Sequence, residues 1–260
     1  MVYLGIIMKK NFIINNGNLN IRGVEFYKEI LPNKKYKSII TCHGYTGYDL
    51  KMEKYCNNLI DDDTIAYSFC FCGTGDPRVD KSAISDGKST DVTIFSELKD
   101  LKCIYDYVNS LDYVDNNNIS LLGESIGGLV ATLFALDNYI NKLVLVSPAF
   151  SLPFHARKGR LCGCLYDPNN PPIVLTGSII DLGVEFHNEV INIDFLNEVE
   201  KIKVNTLLIQ GMNDPVVHFS YAKGIKNKDI KKVFIDKMTH GLDEIFIQDI
   251  MNEIRCFLLQ

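Results

Sequence analysis

Short apolar runs rich in Val, Ile, Leu and Phe recur along the chain, and segments with helical spacing separate them. The central runs are apolar at almost every position, which is typical of parallel strands covered on both faces. The first two runs flank Asn16-Gly17-Asn18, a turn sequence that predicts an antiparallel hairpin. The predicted strands are Phe12–Asn15, Leu19–Phe26, Ser38–Cys42, Thr64–Cys70, Ile119–Leu122, Leu143–Val146, Thr206–Ile209 and Lys232–Ile235.

Helical patterns fill most of the intervals between these strands. The pattern is clearest in Ser89–Asn109, where apolar side chains recur every three or four residues. Further helices are predicted over Ser125–Leu136, Tyr221–Gly224 and Leu242–Leu259. Strands that alternate with helices along the whole chain indicate an α/β fold with a doubly wound, mostly parallel sheet.

One interval, from Phe150 to Asn205, breaks this alternation. It contains the sequences HARKGRLCGC and DPNNPP, and it is too long for a plain crossover between two strands. We therefore predict a small cap inserted at residues 150–200. The core domain is then formed by residues 1–149 and 201–260.

Composition and charge narrow the function classes. The 260 residues are 47% apolar and 23% charged, an ordinary globular balance in a chain long enough to bury its own core. A net charge of −5, without a dense Lys/Arg cluster, argues against nucleic acid or a membrane as partner. No apolar stretch reaches the roughly 18 residues of a membrane span. The N-terminal MVYLGIIMKK lacks the charge-first order of a secretory signal, so a cytoplasmic location is expected.

The eight cysteines do not indicate a metal site or a disulfide framework. Several lie within apolar runs, which predicts reduced, buried thiols. Cys162 and Cys164 are spaced too closely for a usual zinc pair and have no second pair to complete a site. Neither a metal nor a cofactor is expected.

The most informative motif is Gly123-Glu124-Ser125-Ile126-Gly127, which follows a predicted strand and opens a predicted helix. In this context G-x-S-x-G forms a nucleophile elbow, a sharp turn that exposes the serine at the N-terminus of a helix. The turn is crowded, so residues two positions either side of the serine must lack a Cβ atom. Ser125 is therefore the predicted nucleophile.

A serine nucleophile needs a base, and the base needs a carboxylate to orient it. His240 follows the last predicted strand, and Asp214 follows the strand before it. The resulting order Ser125, Asp214, His240 is the one expected for this kind of fold. Asp194, Asp181 and Asp243 are alternatives for the acid, but none of them directly follows a core strand.

The loop Thr41-Cys42-His43-Gly44-Tyr45-Thr46-Gly47 follows an early strand and is the predicted oxyanion loop. Gly44 and Gly47 let the backbone turn its N–H groups toward the serine. The predicted oxyanion donors are the backbone amides of Tyr45 and Ile126. His43 is expected to order this loop through its side chain rather than to act as a second base.

These motifs together resemble the α/β-hydrolase superfamily over nearly the whole chain, and more narrowly the bacterial cinnamoyl and feruloyl esterases. HGYTG is similar to that family's HGFTG, and CGTGDP, YDPNNPP, GMNDPVV and MTHGL also have counterparts there. The resemblance implies the same triad and the same oxyanion amides. It further implies substrate contacts within residues 150–200, for which Phe154, His155 and Tyr166 are the candidates.

The chain departs from the family pattern in three places. The elbow reads GESIGG where the family shows GHSQGG, so Glu124 and Ile126 replace a histidine and a glutamine. Glu124 has two interpretations, a carboxylate that tunes His240 or one that fixes the turn, and we favour the second. Residues 78–84 are an insertion relative to the family, and no single cap residue matches the family's phenol-binding groups.

The predicted function is hydrolysis of a small-molecule ester, of hydroxycinnamate type or another small ester. A monoacylglycerol lipase, a thioesterase or a serine peptidase would use the same machinery, because the fold does not choose the substrate. A non-catalytic binding protein of the same fold is the alternative from another class. A homodimer is left open.

Overall fold

The computed structural model describes residues 6–241 and 245–259. The strands in these residues are β1 (Met8–Asn16), β2 (Leu19–Tyr27), β3 (Tyr36–Cys42), β4 (Thr64–Phe69), β5 (Val114–Glu124), β6 (Leu143–Val146), β7 (Arg160–Leu161), β8 (Cys164–Leu165), β9 (Val174–Leu175), β10 (Leu182–Gly183), β11 (Thr206–Gly211) and β12 (Ile230–Ile235). The helices are α1 (Glu53–Leu59), α2 (Ile94–Ser110), α3 (Ile126–Asp137), α4 (Leu152–Ala156), α5 (Val184–Val190), α6 (Phe195–Glu200), α7 (Ser220–Gly224) and α8 (Ile247–Leu259).

Eight strands form one sheet in the order β1-β2-β4-β3-β5-β6-β11-β12. The β1–β2 and β2–β4 pairs are antiparallel. The remaining five pairs are all parallel. The predicted hairpin is confirmed, with Asn16 paired to Leu19 across its turn. This is the predicted doubly wound, mostly parallel sheet.

The sheet is covered on both faces, because successive side chains of its strands enter two separate apolar cores. One core contains residues of α2 and α3, and the other contains residues of α1 and α8. Ile40, Leu121, Leu145 and Leu208 enter the first core, and their neighbours Ile39, Leu122, Val144 and Ile209 enter the second. Burial on both faces explains why the central runs of these strands are apolar at adjacent positions rather than at alternate ones.

The predicted elements match the structure closely but not at every boundary. Each of the eight predicted strands corresponds to a strand of the main sheet. The helix predicted from Ser89 begins at Ile94 instead, because Thr93 and Ser96 form a reciprocal capping box that fixes the first turn there. Of the helix predicted from Leu242, residues 242–244 lie outside the described residues, and α8 begins at Ile247. Helix α1 was not predicted.

The chain between β6 and β11 carries the short elements that sequence periodicity did not predict. Helix α4 is followed by two small hairpins, β7–β8 and β9–β10, and then by α5 and α6. Leu161, Leu175 and Phe186 of this segment belong to the same apolar core as α2 and α3. The segment therefore packs onto the sheet domain, and the predicted boundaries at 150 and 200 stay a prediction.

None of the helices in residues 6–241 and 245–259 has both the length and the apolar character needed to cross a bilayer. All eight cysteines are free thiols, and five of them are buried. The sheet and its two cores thus carry the fold without covalent cross-links between cysteines.

The capping box of α2 gives a stability prediction. Ser96 donates its backbone N–H to the Thr93 hydroxyl at 3.0 Å, and Thr93 donates its own N–H to the Ser96 hydroxyl at 2.9 Å. Thr93→Ala should lower the free energy of unfolding by about 1 kcal/mol, measured by urea denaturation. Thr93→Ser keeps the hydroxyl and is the matched control. Equal losses in the two variants would contradict a role for the cap.

Candidate active site

Ser125 lies in a sharp turn between β5 and α3, with φ 54° and ψ −117°. A Cβ atom on Gly123 would lie 2.5 Å from the Gly127 carbonyl oxygen, and one on Gly127 would lie 2.3 Å from the Cys42 carbonyl oxygen. Both clashes are with backbone, so neither glycine can be replaced without moving the chain. The glycines of the motif are thus required by close packing around a strained serine.

Ser125, His240 and Asp214 form one chain of hydrogen bonds. The Ser125 Oγ lies 2.9 Å from His240 Nε2, and His240 Nδ1 lies 2.8 Å from Asp214 Oδ2. Asp214 follows β11, and His240 follows β12, which is the next strand in the sheet. The three residues predicted from the sequence are therefore brought together, although 115 positions separate Ser125 from His240.

The carboxylate of Asp214 is buried and well supplied with donors. The backbone N–H groups of Val216 and Val217 each donate to Oδ1 at 2.8 Å, and Gln210 Nε2 donates to Oδ2 at 2.9 Å. Burial pushes the pKa of Asp214 upward. The hydrogen bonds from His240 and the backbone amides outweigh burial, so the pKa lies below its ordinary value. An ionised Asp214 accepts from Nδ1–H, which leaves Nε2 to accept the Ser125 proton.

The alternative acids are placed elsewhere. Asp194 caps α6 by accepting a hydrogen bond from the Asn197 backbone. Asp181 is an exposed residue just before β10. Asp243 lies outside the described residues. Among the described acids, Asp214 is the one hydrogen-bonded to His240.

The oxyanion loop lies directly against the serine. A Cβ atom on Gly44 would lie 2.9 Å from the Ser125 Cβ. In the described part of the chain, the backbone amides of Tyr45 and Ile126 donate to no other group. Both residues line the cavity that contains Ser125. Two unpartnered N–H groups beside a serine hydroxyl are the arrangement that stabilises a tetrahedral oxyanion.

His43 holds this loop from inside the protein. Its Nε2 accepts the Phe71 backbone N–H at 3.1 Å, so the ring proton is on Nδ1, which lies 2.6 Å from the Gly44 carbonyl oxygen. A Cβ atom on Gly47 would overlap the ring at 2.1 Å. Burial lowers the pKa of His43 to about 4, so the ring is neutral at pH 7. Both ring nitrogens serve the backbone, consistent with the predicted supporting role.

Glu124, next to the serine, contacts α1, which packs on the opposite face of the sheet from α3. Its Oε2 accepts a hydrogen bond from the buried Tyr55 hydroxyl of α1 at 2.7 Å. Its carboxyl also lies against Gly241, where an added Cβ would come within 3.1 Å of Oε1. These contacts agree with the interpretation that Glu124 fixes the turn.

A cavity of about 510 Å³ opens onto the serine. Of the three substrate-contact candidates, His155 lines this cavity, whereas Phe154 and Tyr166 are not among the described residues that form its walls. Phe154 lies outside with its ring beneath the Lys158 ammonium group, and the Tyr166 hydroxyl contacts His187 Nδ1 at 2.7 Å. Of the three candidates, therefore, His155 is the one whose position would allow contact with a substrate in this cavity.

Several residues that shape the site were not predicted. Lys51, Arg160 and Cys162 line the cavity, Gln210 holds Asp214, and Tyr55 holds Glu124. Of these, only Gln210 could have been noticed in the sequence, because it is a polar residue that directly follows the apolar run of a strand. The local sequence around the others does not mark them, because their positions at the site depend on tertiary packing.

Comparison with known proteins decides the family. The model of the serine aminopeptidase family of hydrolases matches residues 33–162, which are 130 of the 260 residues and therefore half of the chain. The chain belongs to this α/β-hydrolase family. The matched part contains the oxyanion loop and the elbow, whereas Asp214 and His240 lie beyond it. No curated protein matches the sequence at a significant level.

Solved structures of other α/β hydrolases superpose on nearly the whole chain. Est1E from Butyrivibrio proteoclasticus with bound ferulic acid has 25% identity and a TM-score of 0.82, and the match covers 95% of this chain and 98% of that one. The Pyrococcus furiosus esterase Pf2001 has 21% identity and a TM-score of 0.70, with 97% and 92% covered. The α/β hydrolase GrgF from Penicillium has 16% identity and a TM-score of 0.70, with 97% and 98% covered. The latter two show the shared fold.

The buried neutral His43 predicts a loss of stability in acid. Its folded pKa of about 4 is below the ordinary 6.5, so the folded state favours the neutral ring. The stability that the protein gains from the neutral ring is therefore fully present above pH 6.5 and falls as the pH drops toward 4. Between pH 7 and 5, this effect should lower the free energy of unfolding by about 2 kcal/mol. His43→Gln should remove this part of the pH dependence in urea denaturation. An unchanged difference between the two pH values would contradict the prediction.

Proposed function

We propose that this hydrolase is a serine carboxylic-ester hydrolase that works through an acyl-enzyme, on hydroxycinnamate or other small esters. One observation carries the proposal: the hydrogen-bonded chain from Asp214 through His240 to Ser125 ends in an open cavity. Nucleophile, base and orienting acid are within hydrogen-bonding distance of one another before any substrate binds.

In the first half of the reaction, Ser125 Oγ attacks the ester carbonyl while His240 Nε2 takes its proton. The carbonyl oxygen becomes an oxyanion, and the backbone amides of Tyr45 and Ile126 donate to it. His240 then gives the proton to the alcohol oxygen as the C–O bond breaks. The alcohol leaves, and the acyl group stays on Ser125.

In the second half, His240 takes a proton from water, and the resulting hydroxide attacks the acyl carbonyl. Collapse of the second oxyanion returns the proton to Ser125 and releases the acid. Asp214 stays ionised throughout, keeps the Nδ1 proton in place and stabilises the imidazolium form of His240. The lowered pKa of Asp214 suits this role.

Size and likeness support a small ester as substrate. A cavity of about 510 Å³ lies within the usual range for small-molecule sites. The Est1E structure, which superposes over 95% of this chain, holds ferulic acid, a hydroxycinnamic acid. Esters of such acids are therefore the first substrates to test.

An aminopeptidase is the second candidate, because the matching family model is described as that of a serine aminopeptidase. An aminopeptidase must bind the α-ammonium group of its substrate, which calls for a free carboxylate near the serine. Glu124 is the one carboxylate among the described lining residues, and its Oε2 accepts from Tyr55. Two cations, Lys51 and Arg160, also line the cavity. This charge distribution argues for an ester over a free N-terminal amine.

The proposed nucleophile is tested with methyl ferulate and p-nitrophenyl butyrate. Wild type should hydrolyse at least one of them, and Ser125→Ala should lose about 10⁴-fold or more in kcat on any ester that wild type hydrolyses, because no acyl-enzyme can form. Thermal unfolding of both proteins checks that the variant is folded. Activity of Ser125→Ala equal to wild type would eliminate Ser125 as the nucleophile.

The proposed acid is tested with Asp214→Asn. Asparagine keeps the shape but would favour the wrong tautomer of His240, so kcat should fall by about 10⁴-fold with little change in KM. Asp181→Asn removes an exposed acid and should keep wild-type rates. If Asp214→Asn retained near-wild-type activity, another group would have to orient His240.

A further inference from the structure

The two cations in the cavity come from separate parts of the chain. Lys51 lies in the loop that precedes α1, and Arg160 lies on β7 in the segment between β6 and β11. Both residues line the same cavity as Ser125 and His240. Convergence of two cations from distant segments on one cavity requires an explanation that the triad does not supply.

Neither cation makes an ion pair with another described residue, in contrast to the exposed Arg78, which pairs with Asp76. The Lys51 ammonium lies 6.0 Å from the centre of the Tyr48 ring, and no carboxylate of the described residues lies within 4.0 Å of it. Arg160 has no carboxylate within that distance among the same residues. Both groups are therefore available to a ligand that enters the cavity.

Cations outnumber carboxylates among the residues that line the cavity, although the protein as a whole is acidic. Lys51 and Arg160 contribute +2 and Glu124 contributes −1, so the fixed charges of the described lining residues sum to +1. The whole chain carries −5. His155 adds no charge at pH 7, because burial, then Arg160 and Lys158, lower its pKa. An overall acidic protein that keeps an excess of cations in its cavity selects for anions there.

We infer that the physiological substrate is an ester that carries a second, free carboxylate, bound by Arg160 and Lys51 while the ester carbonyl lies at Ser125. Arg160 offers two parallel N–H donors that match a carboxylate, and Lys51 adds a point charge. This inference rests on the proposed esterase function and narrows its substrate class. A neutral phenol or alkyl chain would leave both cations without a partner.

The test uses rigid pairs of esters that differ in one carboxylate. Methyl cinnamate and methyl 4-carboxycinnamate carry the difference on the acyl side, whereas phenyl butyrate and 4-carboxyphenyl butyrate carry it on the alcohol side. In wild type, kcat/KM should be at least about tenfold higher for the carboxylate member of one pair. That preference should shrink as sodium chloride is raised, since salt screens the charges.

Three variants locate the effect. Arg160→Gln and Lys51→Gln should each lower kcat/KM on the preferred carboxylate ester by about tenfold or more, mainly through KM, and leave its neutral partner within about twofold. Lys158→Gln removes the same charge from the same segment, but Lys158 lies over the Phe154 ring and does not line the cavity. It should therefore keep the wild-type preference.

The outcomes distinguish failure of the proposed carboxylate-bearing substrate from failure of the proposed esterase function. If neutral esters are hydrolysed but neither carboxylate member is preferred, the inference is overturned and the esterase function stands. The same holds if Arg160→Gln and Lys51→Gln reduce both members of a pair equally. If wild type hydrolyses none of the four esters, the proposed function and the inference fall together.

Discussion

The strained backbone of Ser125 is the constraint on which the site depends. A non-glycine residue at φ 54° costs of the order of 1–3 kcal/mol and persists only where its surroundings fix it. Here the Ser125 N–H donates to the Val146 carbonyl of the next strand at 3.0 Å, and the Ser125 carbonyl accepts from Gly128 and Ala149. The parallel sheet thus holds the serine in a conformation that places its hydroxyl within hydrogen-bonding distance of His240.

The same sheet brings the other groups to the serine. In an open parallel sheet the carboxyl ends of the strands share one edge, where ligands bind. The oxyanion loop follows β3, Ser125 follows β5, Asp214 follows β11, and His240 follows β12. Burial on both faces fixes the strand register, so residues far apart in sequence meet within hydrogen-bonding distance. The position of the chemistry is therefore a consequence of the two apolar cores.

The segment between β6 and β11 adds what the sheet cannot supply. It forms part of the cavity wall with His155, Arg160 and Cys162, and it is tied to the oxyanion loop because the Tyr45 hydroxyl donates to the Ile180 carbonyl at 2.8 Å. Burial raises the pKa of Tyr45 to about 12, so this hydroxyl stays a donor. The sheet thus positions the triad, and the segment between β6 and β11 adds Arg160 to the cavity wall.

The sequence by itself determined the strands, their alternation with helices, the elbow, and the acid and base as partners of Ser125. Each of these depends on a local pattern: continuous apolar runs, glycines two positions from a serine, and loops that directly follow a core strand. Only the tertiary structure decided which residues between β6 and β11 line the cavity, because that segment has no periodicity and its position depends on long-range packing. It placed His155 in the wall and Phe154 and Tyr166 elsewhere, and it placed Arg160 and Lys51 on one cavity. The spacing of charged residues along the sequence does not show that two of them will line one cavity.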